Sequence, residues 1–108
     1  MAIQRRDPPT IAAVRARRDD VLRIAARHGA RNVRVFGSVA RGDAIESSDV
    51  DILVDMDPEP TGLAYVGRLA DLIDELAELL ERDVDVVDSA SLRRPRMRDR
   101  VLREAVPI

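Results

Sequence analysis

Apolar positions along the chain fall into groups with two different periods. Ile11, Val14, Val21, Leu22 and Ala25 recur at helical spacing and predict a helix from an N-cap at Thr10 to His28, closed by Gly29. "VRVF" at 33–36 alternates and is β-branched, which predicts a strand. "GSVARGD" follows as a turn with room for one helical turn. "VDILVD" at 50–55 is nearly continuous in apolar content and predicts a central strand. "MDPEPTG" is a loop by its prolines. Residues 63–81 predict the clearest helix, because Val66, Leu69, Ile73, Leu76 and Leu80 form one apolar stripe. "VDVV" at 84–87 is a third strand. A last helix follows, capped by Ser91, with Pro95 in its first turn, Val101, Leu102 and Ala105 inward, and Pro107 at its end.

Residues 1–9 read as a flexible arm, since Pro8 and Pro9 bar an earlier helix start, and residues 10–108 read as one domain. The expected fold class is α/β (α+β), a small mixed sheet with helices packed on it. The link between the first two strands is short enough for a hairpin or a small crossover.

Composition narrows the function classes. The chain has 108 residues, no Cys and a net charge of -2, so disulfides and thiolate metal sites are excluded and bulk charge gives no case for nucleic acid. Phe36 and Tyr65 are the only aromatics, too few for stacking single-stranded bases. Neither a signal core nor a membrane-length apolar run is present, and a cytoplasmic protein is expected. Charge is unevenly spread. Seven acids and no Lys or Arg lie between Asp43 and Gly67, whereas six Arg and one acid lie between Arg93 and Arg103. An acidic site and a basic segment on one body are implied.

The acidic part carries candidate chemistry. Alternation puts Asp49 and Asp51 on the same side of their strand, with Val50 and Ile52 anchored on the other. Two such carboxylates repel each other, and a divalent cation such as Mg²⁺ or Mn²⁺ is the simplest compensation. Gly37 and Ser38 lie just past the first strand, where glycine allows close approach and the hydroxyl and following N–H groups can hold a phosphate. Asp85 joins the pair if the third strand lies beside the second, and can share a metal and orient or deprotonate an attacking hydroxyl. Taken singly, each feature has a plainer reading: Asp-x-Asp as a solvated strand end, Gly-Ser as a turn, Asp85 as an exposed strand residue. Asp55, Asp57 and Glu59 read as solvated loop acids. His28 reads as a satisfied helix-end histidine. A P-loop is rejected because Asp43 stands where Lys is needed, and an EF-hand because its central Gly and final Glu are missing.

Gly37-Ser38, ten residues, then Asp49-x-Asp51 resembles the signature of the DNA polymerase β-like nucleotidyltransferase superfamily. "FGSVARGDAIESSDVDILV" and the ending "LREAVPI" are similar to its minimal prokaryotic nucleotidyltransferases, over about residues 10–108. The resemblance implies Gly37 and Ser38 on nucleotide phosphates, and Asp49, Asp51 and Asp85 on two Mg²⁺ ions. Arg41 matches a motif position as a structural or phosphate-contacting residue, and Ser48 as a cap or turn. The implied reaction is attack of a hydroxyl on the α-phosphate of ATP with release of pyrophosphate. Larger relatives carry an acceptor-holding helical domain that this chain has no room for. Similar minimal proteins are paired with a HEPN-domain RNase toxin and resemble antitoxins that add AMP to a toxin tyrosine.

That makes a partner protein the expected acceptor, with no membrane and no direct DNA binding, and with homo- or hetero-oligomers open. Two competing functions are a non-catalytic antitoxin that neutralises by contact, and nucleotidyl transfer to RNA or a small molecule. Three mutually repelling acids argue against the first, and the missing acceptor domain and aromatics against the second. The arginines of "LRRPRMRDRVLRE" suit a triphosphate tail, RNA or an acidic protein surface, or form a solvated basic face.

Overall fold

A computed structural model describes residues 7–108. In chain order the elements are α1 (Ile11–Ala16), α2 (Arg18–Arg27), β1 (Ala30–Phe36), α3 (Gly37–Arg41), β2 (Val50–Met56), α4 (Gly62–Leu80), β3 (Val84–Asp88), a 3₁₀ turn at Ser89–Ser91, α5 (Pro95–Glu104) and β4 (Val106–Pro107). The sheet order is β3-β2-β1-β4, with β1 antiparallel to β2 and β4 and β2 parallel to β3. β2 is therefore central, as its apolar run predicts, and the expected mixed sheet with packed helices is observed. The β1–β2 link is a hairpin that carries α3 inside it. None of the helices among the described residues is long and apolar enough to cross a membrane. Most of the expected N-terminal arm lies outside the described residues. Of its last three residues, Pro9 is buried.

Strand alternation sorts the sheet into two faces. Val50, Ile52 and Val54 of β2, Val33 and Val35 of β1, and Val84 and Val86 of β3 pack with Val21 and Ala25 of α2 and Leu72 and Leu76 of α4 into one core. The other face carries Arg34 and Phe36 from β1, Asp51, Leu53 and Asp55 from β2, and Asp85 and Val87 from β3. α5 lies along this second face and buries Val101.

Several boundaries depart from the periodicity. The first helix is broken at Arg17, which leaves helical geometry at φ -109° and ψ 20°. The positions three and four beyond Val14 are Arg17 and Arg18, so no apolar side chain ties that turn to the core. Arg15 and Arg18 instead donate to the carbonyls of Pro107 and Ile108 at 2.8 and 3.0 Å. The last helix begins at Pro95, not near Ser91, because Ser91 turns its hydroxyl back to the Asp88 carbonyl at 2.7 Å. It ends at Glu104, before Pro107, and Val106–Pro107 continues as an edge strand, a place that tolerates proline's missing N–H. Leu102 is exposed and Ala105 lies past the helix end, so Val101 alone of the three expected inward residues is buried.

The helix at 62–80 turns most of its predicted stripe inward, with Leu69, Ile73, Leu76 and Leu80 packed on the core and Val66 the exception. Leu69, Leu72 and Leu76 point to the core with Tyr65, whereas Val66 is 59% exposed and Leu63 90%. The rotation is fixed by Tyr65, whose hydroxyl donates to Asp88 at 2.8 Å. Burial and that carboxylate push the Tyr65 phenol up to about 12. Asp88, a buried acid at the end of β3, also accepts from the Ala90 backbone N–H at 3.2 Å and thereby starts the 3₁₀ turn. The contrast is directly measurable. Leu72→Ala should destabilise the domain by about 2–5 kcal/mol in urea unfolding, because a fully buried leucine leaves a cavity. Val66→Ala should change stability by less than about 0.5 kcal/mol, and a larger loss would contradict its exposed placement.

Candidate active site

The strand register assembles the acidic site. Phe36, Asp51 and Asp85 are neighbours in one row across β1, β2 and β3. Paired residues on adjacent strands project to the same face, so the 51 and 85 carboxylates stand side by side, one inter-strand spacing apart, about 4.8 Å between chains. Asp49 is exposed, one residue before β2, on the same side as Asp51 by alternation. All three acids predicted to act together are thus brought to one end of the sheet.

Gly37 completes the corner. It sits at φ +70°, left-handed backbone that favours glycine, and a Cβ there would overlap the Asp51 Oδ2 atom. The turn from β1 into α3 can therefore lie directly against the Asp51 carboxylate. The same cleft, about 430 Å³, is lined by Gly37, Ser38, Arg41 and Asp51, with Arg100 and Glu104 from α5 on its other side.

Electrostatics separate the acids. Burial pushes the Asp51 carboxyl above its ordinary range, and the charges of Asp85 and Asp49 push it further; only Arg41 opposes them. No ion pair among the described residues includes Asp49, Asp51 or Asp85. Arg41 is occupied elsewhere: its Nε donates to Asp43 and its Nη1 to Glu104, both at 3.2 Å. It ties α3 to α5, which agrees with the structural half of its expected role. Ser48 accepts from the Ile45 N–H at 2.9 Å and is the expected turn residue. His28 contacts Glu75 at 2.9 Å at the end of α2, a satisfied helix-end histidine.

Asp55 is not the solvated loop acid expected of it. It lies within β2, where Ser89 Oγ, Arg34 Nη2 and Asn32 Nδ2 donate to it at 2.5, 2.8 and 3.0 Å. The Ser89 hydroxyl, with Asn32 and Arg34, holds its carboxyl below the usual range. Asp57 does leave the strand and pairs with Arg31 at 2.7 Å on the surface.

The donor set suits a hard divalent cation. Among the described residues no group of three or more His, Cys, Asp or Glu side chains closes into a metal cage. Mg²⁺ does not require one, since it is held by one or two carboxylates together with substrate phosphates and water. Adjacent unpaired carboxylates, one of them reluctant to ionise, are the arrangement such a cation relieves. Sequence reasoning did not single out Glu104 or Arg100, because which side of α5 meets the cleft depends on how the helix is rotated.

The raised Asp51 pKa has a definite sign for stability. Between the ordinary aspartate value, about 3.9, and its higher folded value, the folded chain holds a proton that the unfolded chain has lost. Stability therefore falls as pH rises through that window and stays lowered above it. At pH 7 in chelator, Asp51→Asn should melt roughly 3–6 °C above the unsubstituted protein, and the gap should close as pH drops below about 4. Equal or lower melting of the variant at pH 7 would show that Asp51 is not electrostatically crowded.

Comparison with known proteins agrees with this geometry. The family model "Nucleotidyltransferase domain" matches residues 19–108. Protein adenylyltransferase MntA of Thermococcus cleftensis is 44% identical over 80 residues, 74% of this chain and 76% of that protein. A Methanocaldococcus jannaschii protein named as a candidate protein adenylyltransferase is 39% identical over 88 residues, 82% of this chain and 89% of its own length. A solved structure described as a candidate minimal nucleotidyltransferase superposes with a TM-score of 0.77 at 47% identity, covering 92% of this chain and 96% of that one. A toxin–antitoxin crystal structure with AMP-PNP shares the fold, with a TM-score of 0.65 at 23% identity over 82% of this chain and 69% of that one. Sheet order, the glycine-serine corner and the carboxylate row are thus found in a chain that belongs to the nucleotidyltransferase-domain family, as an enzyme of its minimal branch.

Proposed function

We propose that this nucleotidyltransferase transfers AMP from ATP to a hydroxyl of a partner protein, a cognate HEPN-type RNase toxin with tyrosine as acceptor, and so acts as an antitoxin. The observation that carries the reading is Asp51, set between the Gly37–Ser38 corner and Asp85 with no ion pair among the described residues. Support for a protein acceptor comes from relatives 39% and 44% identical whose names specify protein adenylyltransferase activity. Support for a toxin partner comes from fold neighbours crystallised as toxin–antitoxin complexes, one of them with AMP-PNP.

The chemistry follows from the residues. Gly37 leaves the backbone open to a phosphate, and the Ser38 hydroxyl donates to one of its oxygens. The acceptor oxygen bonds to the α-phosphorus as the bond to the bridging oxygen breaks, and pyrophosphate departs. Asp85, exposed beside Asp51, takes the proton from the acceptor hydroxyl. Asp49, Asp51 and Asp85 would hold two Mg²⁺ ions, which supply charge neutralisation at the attacking and leaving oxygens. Most of the acceleration then comes from placement and electrostatics on a rigid support, since Val50 and Ile52 anchor the strand bearing Asp51 with exposures of 1% and 0%.

The deciding experiment is label transfer from α-³²P-ATP to a co-expressed helical toxin. The unsubstituted chain should label it in Mg²⁺ and not in chelator, and Asp49→Ala with Asp51→Ala should reduce the rate by at least about 10³-fold while circular dichroism stays native. Continued labelling by the double variant would remove the carboxylates from the mechanism. A toxin neutralised without any labelling would favour the contact-only antitoxin, and labelling of RNA or a small molecule in its place would reassign the acceptor.

A further inference from the structure

α5 carries positive charge in an unfavourable place. Six arginines lie between Arg93 and Arg103, and none belongs to an ion pair among the described residues. Arg94 is the N-cap, Arg96 and Arg98 occupy the first turn, and no acid is present there. The positive end of a helix dipole repels cations at those positions. An anion beside α5 would offset both the dipole and the mutual repulsion.

The arginines differ in what they border. Arg98 shares a cleft with Arg34, Asp55 and Ser89, where Asp55 already has three donors. Arg96 and Arg103 stay with Met97 and Asp99 on the outer surface. Arg100 borders that outer surface and also the cleft that contains Gly37, Ser38 and Asp51. The cleft's other cation, Arg41, is shared between Asp43 and Glu104. Arg100 is thus its one guanidinium without an acidic partner among the described residues.

We propose that Arg100 binds the β- and γ-phosphates of the nucleoside triphosphate donor and makes the site select triphosphates over monophosphates, an inference that rests on the nucleotidyl-transfer reading. With the α-phosphorus near Asp51, the rest of the tail extends along the cleft from the Gly37–Ser38 corner towards α5. The open side of the cleft towards α5 is where a free cation stands. A guanidinium presents paired N–H donors to phosphate oxygens, a geometry lysine lacks. The same contact holds the departing pyrophosphate in place of the acceptor's carboxylate-lined surroundings. Because the tail is bound in the ground state and the transition state alike, Arg100 acts on donor binding more than on the chemical step.

Isothermal titration of Mg-ATP and Mg-AMP into the unsubstituted chain, Arg100→Ala, Arg100→Lys and Arg93→Ala tests this. Arg100→Ala should weaken ATP binding about 10- to 100-fold and leave AMP within roughly 2-fold, as expected for a lost charge-assisted hydrogen-bond pair. Arg100→Lys should recover part of the loss, and Arg93→Ala should match the unsubstituted chain. In turnover, Arg100→Ala should raise KM for ATP with kcat largely kept. Unchanged ATP affinity in Arg100→Ala, an equal loss for AMP, or the same loss in Arg93→Ala would each overturn the assignment while leaving the transfer reading intact. Weakened toxin binding with unchanged ATP affinity would also overturn it and give Arg100 to the partner surface. An unsubstituted chain that binds no nucleotide would remove the transfer reading itself.

Discussion

The structure turns on keeping acidic groups close together with no ion pair to them among the described residues. Asp51 and Asp85 are register neighbours, Asp49 stands beside them, and Gly37 closes the corner where any larger residue would collide with the Asp51 carboxylate. Burial and like charge together make Asp51 hard to ionise. Such an arrangement opposes folding. It persists because the opposite face of β2 is fully buried, with Val50, Ile52 and Val54 locked among valines and leucines of the core.

β2 itself shows how the same residue type serves two ends. Asp51 and Asp55 lie four residues apart on one face, yet their carboxyls are displaced in opposite directions. Three donors meet Asp55, so it behaves as a stable anion that joins β1, β2 and the turn at Ser89. No side-chain donor among the described residues partners Asp51, which lines the open cleft. Divergent environments of this kind commonly separate structural from reactive carboxylates. The buried Asp88–Tyr65 pair has the structural part on the other face, where it fixes the rotation of α4.

α3 and α5 are joined across the site by Arg41, which contacts Asp43 on one side and Glu104 on the other. The residue that a motif would assign to phosphate is thereby partly committed to holding two helices in register. Arg100 of α5 borders the same cleft with no ion pair among the described residues, so the basic segment lies beside the acidic one. Separation of the two charge signs along the sequence is therefore matched by their apposition in space.

Much of this was legible from residue order. A nearly continuous apolar run at 50–55 specified a central strand, the glycine-serine step marked its approach, and the spacing of Asp49 and Asp51 required a shared side, since strand geometry is local. The helix at 62–80 was legible with most of its inward stripe, but not the exposure of Val66 or the turn of Tyr65 towards Asp88, which depends on a partner from another strand. β4 was invisible, since two residues carry no period and its pairing with β1 comes from far along the chain. Asp55 reads as solvated in the sequence because its donors Arg34, Asn32 and Ser89 come from other segments. Local covalent geometry thus determined which residues are strand, helix and corner. Only the tertiary arrangement decided which carboxylates are satisfied, which have no ion pair among the described residues, and which arginines line their cleft, because those outcomes depend on distances between segments that sequence spacing does not encode.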